Sequence, residues 1–189
     1  MRAFLWLAVL LAWASPGFAE SSESMTLGGQ ARTGTDQRAV RFTFLCSASR
    51  GPDITGVLGL DLVVPAHDTL RAVFDFDPFE GPDARAGRLT QLESAAEAGS
   101  GAMRAMVSGS IGVDADSPFI FSVNAARRRD AARLAELSRL LAPLTTGASH
   151  LIWTQGNTRA GGPAITARLE ASAEDAARLR ALLGPCLPR

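Results

Sequence analysis

Residues 39–46 read AVRFTFLC, and this stretch decides the fold. Val40, Phe42, Phe44 and Cys46 fall on one side of an extended chain, with Arg41 and Thr43 on the other. A period of two marks a strand with one face buried and one in solvent. The alternation recurs further along. Residues 54–64 put Leu58, Leu60, Leu62 and Val64 on one face and stop at Pro65. Residues 69–77 read as a third strand, with Leu70, Ala72, Phe74 and Phe76 inward and Arg71, Asp75 and Asp77 outward, closed by Pro78. A weaker strand at 86–93 is followed by a Gly/Ala/Ser-rich loop from Ala95 to Ala102. Met103–Val113 reads as one strand weakened by Gly109 and Gly112, and Phe119, Phe121 and Val123 alternate after Pro118. Strands at 149–155 and 164–170 flank a hairpin loop marked by Gly156-Asn157 and Gly161-Gly162.

The period changes twice. Leu134, Leu137, Leu140, Leu141 and Leu144 give an amphipathic helix over 125–142, stopped near Pro143. Ser172-x-x-Asp175 is a helix start, because the hydroxyl can take a first-turn amide and acids favour the positive helix end. The helix it opens buries Ala176, Leu179, Leu182 and Leu183 and ends at Gly184-Pro185. DAARLAELSRLLAPL (130–144) echoes DAARLRALLGPCL (175–187), each after an alternating strand; a twice-used unit and compositional coincidence both explain this. The expected fold is α+β and mainly β: an antiparallel, sandwich-like domain of about seven or eight strands with two short helices.

Residues 1–19 carry Arg2, an apolar run at 3–14, and Gly17 and Ala19 at the small-residue positions of a cleavage site. They read as a signal peptide, since a twelve-residue run is shorter than the roughly twenty residues a spanning helix needs. Residues 20–38 are polar and read as a flexible lead-in, leaving 39–189 as a single domain. The expected location is the periplasm of a Gram-negative bacterium, with secretion the lesser reading and no stable membrane insertion. Lys+Arg and Asp+Glu both total 19, so the balance gives no electrostatic case for nucleic acid.

Cys46 and Cys186 are the two cysteines, and an even count in an exported chain points to one disulfide. Without a C-x-x-C pair the role is structural. Every basic residue is Arg and there is no Tyr, so Schiff-base lysines, P-loop lysines and phenol acids are excluded. His67 and His150 lie far apart and want a third ligand for zinc, and the Asp75–Asp83 string lacks the EF-hand pattern because Phe79 holds its fifth position. No cofactor or metal is expected.

Two charged stretches remain as a binding surface. One is Asp75, Asp77, Phe79, Glu80 and Asp83, with Phe79 exposed among acids to meet a basic partner. The other is Arg127-Arg128-Arg129, placed near a helix start where the dipole disfavours cations. That mismatch points to an anionic envelope component, or to pairing with the acidic stretch. Trp153 beside Gln155 and Asn157 reads either as a stacking platform or as a buried core residue. The function expected is a non-catalytic binding or envelope-associated module, with another envelope protein as partner. The rival is a periplasmic hydrolase using Ser or carboxylates with His67 or His150, although no G-x-S-x-G elbow is present.

FTFLCS (42–47) and a final strand leading into ARLRALLGPCL (177–187) give the chain a layout similar to small alphaproteobacterial periplasmic proteins of the invasion-associated locus B type. The resemblance covers about a quarter of the chain and lacks that family's early Trp-containing strand and its further cysteines. It implies a non-enzymatic envelope protein and carries over no functional residue.

Overall fold

The computed structural model describes residues 22–47, 56–82, 86–114, 116–126 and 129–187. The expected signal peptide lies outside these residues, as do Asp83, Arg127 and Arg128. The described residues form nine strands: β1 (Ser22–Thr33), β2 (Asp36–Ser47), β3 (Val57–Val64), β4 (Thr90–Ala96), β5 (Gly99–Ala105), β6 (Ser108–Ile111), β7 (Phe119–Ala126), β8 (Ser149–Gln155) and β9 (Ile165–Ala171). Two helices, α1 (Ala131–Leu141) and α2 (Ala173–Leu183), follow β7 and β9.

All nine strands belong to one antiparallel sheet in the order β5-β4-β8-β9-β1-β2-β3-β7-β6. Its outermost strands, β5 and β6, are consecutive in the chain and joined through Met106 and Val107. Three Cα steps span at most about 11 Å, so the sheet curls until the end of β5 comes close to the start of β6 at one corner. The expected antiparallel, β-rich domain with two helices is therefore present, as a single curled sheet. Strands such as β9 bury alternate residues, with Ile165, Ala167, Leu169 and Ala171 buried and their neighbours exposed, while β3 buries 58–60 and 62–64 as unbroken runs. The alternating buried residues line the inside of the curl.

The helices fill that inside. Leu134, Leu137, Leu140 and Leu141 of α1 are buried, and the Ser94 hydroxyl of β4 donates to the Leu140 carbonyl at 2.5 Å. At Gly101 of β5 the two backbones nearly touch: a Cβ there would lie 2.4 Å from the Arg139 carbonyl oxygen. α2 starts with the expected capping box, Ser172 accepting from the Asp175 amide while the Asp175 carboxylate accepts from the Ser172 amide. The Ser172 hydroxyl, which also donates to that carboxylate at 2.7 Å, and the Ser172 amide hold the Asp175 carboxyl below the usual carboxylate range. The chain after α2 is stapled to β2 by a Cys46–Cys186 disulfide with Cα atoms 5.9 Å apart.

Two expectations are corrected. The segment read as a flexible lead-in is β1 from Ser22 onward, paired with β2 along its whole length and with β9 at Gln30–Thr33. Its inward face carries the small residues Gly29 and Ala31, so its hydrophobic signal is weak. Gly29 is required there, since a Cβ would lie 2.7 Å from the Phe42 ring. Residues 69–77, read as a strand, form a plug instead, entered by a 3₁₀ turn at His67–Leu70 and left by another at Asp77–Phe79. Leu70, Phe74, Phe76 and Phe79 all turn inward against Phe119 and Phe121 of β7. The alternation was mimicked by a segment whose large side chains Leu70, Phe74 and Phe76 reach the core, while Ala72, read as inward, and Val73 are exposed.

Candidate functional site

α1 begins at Ala131, and its N-cap residue Asp130 gives no side-chain cap to its own helix. The first-turn amides of such a helix lack internal acceptors and leave partial positive charge at that end. Arg129 lies just before the N-cap and Arg133 in the first turn of the helix. On β5, Met103 and Ala105 point inward, so Arg104 points out, and Arg88 lies just before β4. The fold brings these four arginines, which come from three separate parts of the sequence, to one cleft of about 360 Å³. Asp130 and Glu136 supply its acids, and Met103 and Met106 give apolar wall.

Among the described residues, no carboxylate lies within ion-pair distance of Arg88, Arg104, Arg129 or Arg133. Guanidinium groups stay charged across the accessible pH range and present forked donors that match carboxylate, sulfate and phosphate oxygens. Arg133 is half-buried and pinned by donating to the Met106 carbonyl. Arg133 and Met106 also border a second recess of about 370 Å³, lined further by Ser108, Ser122 and Asn124. The arginine cleft thus opens beside a recess whose one charged side chain among the described residues is Arg133.

The acidic stretch is dispersed. Phe79, expected to be exposed, is fully buried and stacks on Phe74 with ring centroids 5.8 Å apart. Phe79 is the last residue of the second 3₁₀ turn, after Pro78, and its ring turns inward because burial removes its apolar surface from water. Asp77 is 3.0 Å from the Arg71 guanidinium, which also pairs with Asp68 at 3.0 Å, and these bonds raise the Arg71 pKa further. Asp75 accepts from the Thr158 hydroxyl at 3.1 Å. Glu80 is exposed, and Asp83 lies outside the described residues. Asp75, Asp77 and Glu80 do not line the arginine cleft. Arg129 does; its neighbours Arg127 and Arg128 are outside the described residues.

The histidines stand apart from the cleft. His67 is buried against Phe76 and Phe119, and His150 is half-buried beside Glu170 at another recess. Among the described residues no three His, Cys, Asp or Glu side chains gather as metal ligands. Trp153 is a core residue, its indole N–H donating to Gln155 Oε1 at 3.3 Å.

No family model, no curated protein and no solved structure matches this chain. No helix among the described residues is long and apolar enough to cross a membrane. Arg88, Arg104 and Arg133 were not singled out from the sequence. Arg133 carried a signal, its i+4 spacing from Arg129. Arg88 and Arg104 carried none, because only the curl of the sheet brings β5 to the start of α1.

Proposed function

We propose that this protein is an exported, non-catalytic binding module that takes an anionic ligand at the arginine cleft. The observation that carries this reading is the convergence of Arg88, Arg104, Arg129 and Arg133 on one recess with no ion-pair partner among the described residues. Four arginines against the two acids Asp130 and Glu136 leave an excess of positive charge beside a helix N-terminus, and that excess opposes the helix dipole, so a bound anion relieves an unfavourable arrangement. The disulfide supports export, because such bonds persist in oxidising compartments. The resemblance to invasion-associated locus B proteins agrees with an envelope role and stays a proposal on the same footing.

The test is isothermal titration with inorganic sulfate and with pyrophosphate at two salt concentrations. Binding that weakens as salt rises, and that is lost in Arg104→Ser/Arg129→Ser, supports the reading. Equal heats from wild type and the double variant would remove the cleft from consideration.

A further inference from the structure

We infer that the ligand of this cleft is an acidic oligosaccharide, with its anionic group in the arginine chamber and its uncharged sugar units in the neighbouring recess. This inference rests on the anion-binding reading and goes beyond it. It starts from the strand register. On the outer face, Thr26 of β1 lies opposite Thr43 of β2, Thr43 opposite Asp61 of β3, Asp61 opposite Ser122 of β7, and Ser122 opposite Ser108 of β6. Five hydroxyl or carboxyl side chains therefore form a row straight across five strands, which stand about 4.8 Å apart. That spacing is comparable with the length of one pyranose unit.

The row ends in the second recess, where Ser108 and Ser122 meet Asn124 and Arg133. These groups offer hydroxyl, amide and guanidinium partners, the side-chain set that reads sugar hydroxyls. Met106, a partly exposed hydrophobic residue, and Pro82 supply apolar contact for the C–H face of a ring. Asp61 acts as a positioning residue: it lies beside Ser122, and its buried Oδ1 has no hydrogen-bond partner among the described residues.

A peptide added as a further strand fits less well. The free edge of β6 is already engaged by the chain itself, since the Gly81 amide donates to the Gly109 carbonyl at 2.8 Å. The end of β7 is engaged too, with the Asp130 amide donating to the Ala126 carbonyl at 2.9 Å. What remains for recognition is side chains in a row running across the strands.

The experiment is a binding array of oligosaccharides bearing uronate, sulfate or phosphate groups, beside their uncharged counterparts. Free glucuronate, inorganic sulfate, inorganic phosphate and hexaglutamate are titrated in parallel. The expected result is an acidic oligosaccharide that binds at least tenfold tighter than both its uncharged counterpart and its isolated acid. Ser122→Val/Asn124→Ala should erase the advantage over the isolated acid yet leave sulfate binding intact, whereas Arg129→Ser should weaken both. If no oligosaccharide exceeds its isolated acid, or if hexaglutamate exceeds them all, the sugar assignment is overturned and the anion reading survives. If neither oligosaccharide nor simple anion binds, both fall.

Discussion

His67 donates from Nδ1 to the carbonyl oxygen of Ser117, 2.5 Å away and fifty residues along the chain. The bond joins the two places where non-glycine residues among the described ones hold positive φ, Ala66 at 48° and Ser117 at 38°. The Ala66 amide also donates to the Asp116 carbonyl at 2.7 Å. Left-handed backbone at such residues costs about 1–2 kcal/mol each, so the surrounding contacts must hold it. His67 Nε2 faces Asp68 at 3.3 Å and an Arg71 nitrogen at 3.4 Å, which ties the latch to the surface ion pairs of the plug.

The latch gives the first prediction. His67→Ala removes the bond, leaves the Ser117 carbonyl without its partner and opens a ring-sized gap against Phe76 and Phe119. Urea denaturation should show a loss of about 3 kcal/mol. His150→Ala, at a half-buried site, should stay within about 0.5 kcal/mol of wild type. Equal effects at the two histidines would mean that His67 holds nothing together.

Asp61 gives the second. Burial pushes its carboxyl above the ordinary value, and the Ser122 hydroxyl draws it only partly back. A carboxyl raised on folding binds more protons in the native state than in the unfolded one. Its contribution is therefore fully present below the unfolded pKa and lost as pH rises through the folded value. At neutral pH folding must either bury the charge or take up a proton, and either one costs stability. Asp61→Asn should raise Tm at pH 7, and the gain should vanish as pH falls below the ordinary carboxylate range. A gain of the same size at pH 3 and pH 7 would rule out ionisation as its source.

Reducing the Cys46–Cys186 bond should destabilise the fold. Its sequence separation is 140 residues, and the chain-entropy treatment gives up to about 5 kcal/mol for a loop of that size. Cys186→Ser should show the loss by chemical denaturation, with wild type in reductant matching it. A variant as stable as the oxidised protein would show that the unfolded chain gains no freedom from the cut.

Gly101→Ala tests the contact between α1 and β5. The new Cβ would stand 2.4 Å from the Arg139 carbonyl oxygen and 2.8 Å from Leu140 Cα, both backbone atoms that cannot rotate away. Overpacking of this kind costs about 1–3 kcal/mol. Gly28→Ala on β1, where a Cβ would meet nothing within 4 Å, is the control. The helix it disturbs also carries Arg133, so Gly101→Ala should weaken sulfate binding while Gly28→Ala leaves it unchanged.

The strands around AVRFTFLC were readable because each hides one face, and the capping box at Ser172 was readable because its chemistry is local. β1 escaped because glycines and an alanine occupy positions where bulk would have announced a strand. The plug was misread because Phe74 and Phe76 alternate with acids although their backbone is not extended. Phe79 was placed outside from its acidic neighbours, but neighbours in sequence do not fix burial when Pro78 and Gly81 turn the chain. Arg129 was found through its conflict with the helix dipole. Arg88 and Arg104 depend on which strands become edges, and pairing order is a property of the whole sheet.

The sheet order has a consequence for assembly. β9 is the last strand made, yet it stands between β8 and β1, near the middle of the sheet. Without it the remaining strands fall into two groups, β5-β4-β8 and β1-β2-β3-β7-β6, each with an unpaired edge toward the other. A chain built from its N-terminus therefore holds two unjoined sheets from the completion of β5 until residues 165–171 are made, linked by the Met106-Val107 crossing and the α1 connection. Residues 165–171 then enter the gap along all of β8 but beside only four residues of β1. A stop before Ile165 leaves both edges exposed to pairing with other chains. Oxidation of Cys186 comes after that insertion, and it fixes in place the short seam on which closure depends.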